Sequence, residues 1–110
     1  MEKMPPTIAT TELSDLLGRD EQLWLVRVPE GSDPVIGQIP GSLVTGDEEL
    51  LAALAADTPM VLYGANRSSE RARALAALFA AKGRDVHWYP DGVEAWAAAG
   101  HPIDFLEPGT

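Results

Sequence analysis

A chain of 110 residues has room for one hydrophobic core and not for two. Hydrophobic content of 45% and charged content of 23% exclude wholesale disorder, and a net charge of −9 leaves no general basic face for nucleic acid or anionic membranes. Cysteine is absent, which removes disulfides, thiolate metal sites and any sulfur nucleophile.

Residues 1–7, with Pro5 and Pro6, read as a flexible lead-in, and Ile8-Ala9 as a short edge strand. Thr10 or Thr11 is the expected cap of a first helix, with Leu13, Leu16 and Leu17 on one face before Gly18 stops it. Leu23–Val28 is apolar on both alternations, as in a strand covered on two sides. Pro29 through Pro40 is a loop rich in Gly, Pro, Asp and Ser, and Ser42-Leu43-Val44 a short strand. Asp47, Glu48 and Glu49 put negative charge on the first turn of a helix whose apolar side is Leu50, Leu51, Leu54 and Ala55.

Met60–Tyr63 predicts a buried strand that runs through the tight turn Gly64-Ala65-Asn66 into a long amphipathic helix closed by Gly83. That helix places Ala72, Leu75, Ala76 and Phe79 on one face, with Glu70, Arg71 and Arg73 towards water. Asp85–Tyr89 is a further strand, with Val86 and Trp88 on one side and His87 and Tyr89 on the other. Asp91-Gly92 then turns into a last helix, Val93–Ala99, ended by Gly100. Alternating strands and helices predict an α/β domain over 8–104, an open, mostly parallel sheet of about five short strands with helices on both faces, followed by a tail at 105–110. No apolar run reaches membrane-spanning length and the N-terminus lacks the order of a secretion signal, so a cytoplasmic protein is expected.

Four stretches in order resemble the rhodanese-like domain: Leu25-Val26-Arg27-Val28-Pro29-Glu30; Ile36-Gly37-Gln38-Ile39-Pro40-Gly41-Ser42; Tyr63 through Ser69; and Asp91-Gly92-Val93-Glu94-Ala95-Trp96 with Gly100-His101-Pro102-Ile103. The resemblance covers nearly the whole chain. It implies a loop cysteine that carries sulfur as a persulfide, or in a related branch attacks phosphate, with loop N–H groups wrapping the anion at a helix N-terminus. Gly64 stands where the family has its cysteine. Only Ala65 and Asn66 separate Gly64 from Arg67, where the sulfurtransferases have four residues, and Leu25 and Gln38 replace the family's aspartate and histidine. The resemblance therefore implies a homologue without sulfurtransferase activity, no catalytic residue and no cofactor.

What survives is a candidate anion site made of Gly64, Ala65, Asn66, Arg67, Ser68 and Ser69, with Arg27 at the neighbouring strand's end adding charge. The structural alternative is that Asn66 or Ser68 caps the helix and Arg67 pairs with an acidic neighbour. A hydrolase using Ser68 or Ser69 needs an adjacent base, and His87 and His101 lie in no serine-enzyme motif. Two separated histidines give no metal-ligand spacing. Trp24, Trp88 and Trp96 are expected in the core. The readings to be tested are a module for a protein partner, a binder of phosphate, sulfate or thiosulfate, and a cysteine-free hydrolase; oligomeric state is not legible.

Overall fold

The computed structural model describes residues 5–19, 22–29, 37–54, 58–67 and 69–104. Its elements are α1 (Thr10–Gly18), β1 (Trp24–Arg27), β2 (Leu43–Val44), α2 (Glu48–Ala53), β3 (Met60–Tyr63), α3 (Glu70–Ala81), β4 (Val86–Tyr89) and α4 (Gly92–Ala98). The sheet has four strands in the order β2-β1-β3-β4, and all three pairings are parallel. The expected strand at Ile8-Ala9 is reduced to an isolated parallel bridge of Thr7 to Trp88, so the count is four and not about five. The reason is local: Pro6 has no N–H, and among the described residues the segment bonds β4 through Trp88 N–H to Pro6 O and Ile8 N–H to Trp88 O. Pro5, assigned to the lead-in, is buried.

Side-chain alternation along the strands builds a core on each face. Trp24, Val26, Met60, Leu62, Val86 and Trp88 point to the side covered by Leu51 of α2 and by Ala72, Leu75, Ala76 and Phe79 of α3. Leu25, Val61, Tyr63 and Tyr89 point to the other side, with Leu13 of α1 and Val93 and Trp96 of α4. The four buried residues of α3 are those its spacing predicts. Full burial of side chains such as Leu13, Leu62 and Phe79 contributes about 2 kcal/mol apiece.

Two helix details differ from expectation. Thr10 is the first helical residue and not a cap: Ala9 is the N-cap, and the Thr10 hydroxyl bonds that of Tyr89 at 2.6 Å. In α2 Leu51 is buried but Leu50 is 43% exposed, because successive residues of a helix point about 100° apart and Leu51 is the one turned to the sheet. Asp47 caps α2 by accepting from the N–H groups of Glu49 and Leu50. Ala55 lies outside the described residues.

Candidate functional site

Between the end of β3 and the start of α3 the chain turns through Gly64, Ala65, Asn66 and Arg67 to Ser69; Ser68, and with it every role assigned to it, lies outside the described residues. Ser69 is the N-cap of α3, yet its side chain does not cap that helix. It points back into the turn, 2% exposed, and Oγ accepts from the N–H groups of Ala65 at 2.9 Å and Asn66 at 3.4 Å. The Ser69 N–H in turn donates to the Asn66 carbonyl at 3.1 Å. A Cβ on residue 64 would sit 2.1 Å from Ser69 Cβ and 2.3 Å from its Oγ. The space just past the strand is therefore filled by the protein's own serine.

The same turn is held from its other side by α4. Gly64 and Ala65 carbonyls accept from the N–H groups of Val93 at 3.1 Å and Glu94 at 3.0 Å, which satisfies two donors of that helix's first turn. Gly92 is pressed against the backbone of Gly64 and Ala65. Asn66 Nδ2 donates to Glu94 Oε2, so its amide reaches α4 and does not cap α3. Arg67 pairs with Asp91 at 2.7 Å, and its side chain is 75% exposed, which makes this a water-screened contact of small worth. Arg71 donates to the Gly46 carbonyl at 2.6 Å and ties the start of α3 to the connection between β2 and α2.

Arg27 is buried, not presented beside Arg67: its Nη1 donates to Val28 O at 3.0 Å and its Nε to Gly37 O at 3.4 Å. Next to it in register is Tyr63, whose hydroxyl organises the turn at 39–42. Ile39 N–H donates to the Tyr63 oxygen at 2.9 Å, and Ser42 gives its one hydroxyl proton to Ile39 O at 2.7 Å. Tyr63 is left to donate to Ser42 Oγ, which closes the ring. In the sequence Tyr63 reads only as a strand and loop residue; its place opposite the Ile-Pro-Gly turn is a long-range fact of register.

Tyr63→Phe orphans a buried N–H and is expected to cost about 2 kcal/mol in urea denaturation. Burial pushes the Tyr63 phenol above its ordinary range, against the opposing pull of the Ser42 and Ile39 bonds and the Arg27 charge. Burial also raises Tyr89. A folded-state pKa above the unfolded one gives stability that is full below about pH 10 and is lost as pH climbs through the folded value. Wild-type stability should accordingly fall in alkali, and fall less steeply in Tyr63→Phe.

The other candidates are scattered. His87 lies 3.8 Å from Asp85 at the surface, and His101 stacks on Trp96 with centroids 4.3 Å apart. Among the described residues no group of three or more His, Cys, Asp or Glu is placed to hold a metal, and no helix is long and apolar enough to cross a membrane. A surface depression of about 370 Å³ at Gln22, Leu23, Trp24 and Thr58 lies at the opposite ends of β1 and β3 from the 64–69 turn. Trp96 is buried, while Trp24 and Trp88 are partly buried against the core of the α2/α3 face.

No protein-family model matches the sequence, and no curated protein matches it. Solved structures do. A rhodanese-related protein from Thermoplasma volcanium superposes with a TM-score of 0.71 at 17% identity, over 92% of this chain and 99% of that one. A rhodanese-like domain protein from Staphylococcus aureus gives 0.69 at 22%, over 90% and 98%. A thiosulfate sulfurtransferase from Pseudomonas aeruginosa gives 0.70 at 25%, over 96% of this chain but only 20% of that one.

Proposed function

We propose that this chain, a rhodanese-like domain by its fold, transfers no sulfur and works as a binding or regulatory module. Persulfide chemistry needs a thiolate, and the chain has no cysteine. The observation that carries the reading is the Ser69 side chain in the space beside Gly64: the turn has lost its nucleophile and has also closed over the place where one would project. A fold alone does not set a function, and here the altered turn is what argues for a changed one.

The test is cyanide–thiosulfate transfer by the purified chain and by Gly64→Cys. Neither is expected to turn over above background, since a thiol at position 64 would have to displace Ser69 first. Turnover by the wild-type chain would overturn the proposal; turnover by Gly64→Cys would mean that the turn opens readily.

The anion reading draws on the exposure of Arg67, but two of the loop's N–H groups already donate to Ser69. The proposal therefore expects no rise in thermal midpoint with phosphate, sulfate or thiosulfate. A rise that Arg67→Ala abolishes would favour an anion site instead. For a hydrolase, the Ser69 hydroxyl has no histidine or carboxylate partner among the described residues.

A further inference from the structure

Ring contacts on the α1/α4 side of the sheet join into a single line. His101 stacks on Trp96 with centroids 4.3 Å apart, Trp96 meets Tyr89 edge to face at 6.4 Å, and Tyr89 meets Tyr63 at 6.4 Å. Exposure falls inward along it: His101 is half-buried, Trp96 is 4% exposed, and both tyrosines are fully buried. The polar atoms of the line are held in three different ways. The Trp96 N–H donates to the Pro102 carbonyl at 3.0 Å, an oxygen too weakly basic to take the proton away. The Tyr63 hydroxyl donates to Ser42 Oγ, whose own proton is engaged by the buried Ile39 carbonyl. The Tyr89 oxygen lies 2.6 Å from Thr10 Oγ1, and the half-buried Thr10 hydroxyl has no second protein partner among the described residues.

We propose that Trp96, Tyr89 and Thr10 form a relay that accepts an oxidising equivalent from a small radical oxidant at the surface and lodges it in the core as a tyrosyl radical. This goes beyond the reading of the chain as a binding module and does not rest on it. The oxidant takes one electron from Trp96 and is itself reduced by one. The indole keeps its proton on the Pro102 oxygen, so it becomes a radical cation and draws an electron from Tyr89, the ring packed against its edge. Tyr89 cannot stay behind as a cation, because an unpaired charge in the interior is costly, and its phenolic proton leaves with the electron. That proton goes to Thr10 Oγ1 while Thr10 releases its own to water. The products are Trp96 restored, Tyr89 as a neutral radical and one proton in solvent. Tyr63 lies one ring further in but is a dead end, since its proton meets a hydroxyl already bonded to a buried carbonyl.

Pulse radiolysis of the full chain with azide radicals tests this, because both tyrosines are shielded from solvent and phenoxyl radical must then arise by transfer within the molecule. The indolyl absorption is expected to decay into phenoxyl absorption at a rate independent of protein concentration. Tyr89→Phe and Trp96→Phe should each lose that conversion, and Tyr63→Phe should keep it. Thr10→Val, which removes the proton exit and keeps the shape, should slow it by at least about tenfold. The proposal is overturned if the wild-type chain shows no conversion, if the rate scales with protein concentration, or if Tyr89→Phe or Trp96→Phe converts as fast as wild type. Loss of conversion in Tyr63→Phe, or an unchanged rate in Thr10→Val, would overturn it as well. Should Tyr89→Phe or Trp96→Phe fail to fold, the wild-type kinetics with Tyr63→Phe and Thr10→Val still decide.

Discussion

Gly64→Ala is expected to lower stability by about 3 kcal/mol, although it adds only one methyl group. The backbone at Gly64 is not left-handed, so the cost is steric. The added carbon would meet Ser69 Cβ at 2.1 Å, an atom fixed to the backbone that no rotamer change can move aside. Ser69 Cα, at 3.6 Å, leaves ordinary room once that side chain is gone. Ser69→Gly alone removes the acceptor for Ala65 and Asn66 N–H and is expected to cost about 2 kcal/mol. The double variant Gly64→Ala/Ser69→Gly should then be about as stable as Ser69→Gly, a coupling of about 3 kcal/mol in a urea double-mutant cycle. Additive losses, or a Gly64→Ala protein within about 0.5 kcal/mol of wild type, would mean that the turn is not sealed by its serine.

That seal marks the boundary of what the sequence could reveal. Period and composition were enough to place β3, α3 and the inward set Ala72, Leu75, Ala76 and Phe79, because a long helix against a sheet obeys its own spacing. The expected apolar side failed at Leu50, which adjoins buried Leu51 and points about 100° away from it. The missing cysteine and short loop were legible as letters. Ser69 folding back onto Ala65 and Asn66 was not, since whether a serine caps forward or closes the turn behind it depends on the path of the loop. Arg27 reads as a strand-end residue that adds charge to the turn; its bonds to the Gly37 and Val28 carbonyls instead follow from a tertiary contact that no local pattern encodes. Pairing of Arg67 with an acidic neighbour was among the expected alternatives, and the neighbour is Asp91, brought there by the parallel register of β3 and β4.

The turn is confined from the α4 side as well, and Gly92→Ala should show it with a loss of about 4 kcal/mol. Two costs coincide at this residue. Its φ of +73° is a left-handed conformation that a side chain makes unfavourable by about 1 kcal/mol. A Cβ would also stand 2.6 Å from the carbonyl carbon and oxygen of Ala65 and from the Gly64 oxygen, all backbone atoms. Those carbonyls accept from Val93 and Glu94, so relieving the clash lengthens the bonds that seat α4 and loosens the turn together with the helix. Gly100→Ala separates the two costs: its φ is +89° but nothing lies within 4 Å, and it should lose only about 1 kcal/mol. If the two variants melt alike, the close packing of α4 on the 64–65 backbone is not what holds the turn shut. If Gly92→Ala is the weaker by several kcal/mol while Gly100→Ala is mild, the turn is braced by α4 from outside and stoppered by Ser69 from within.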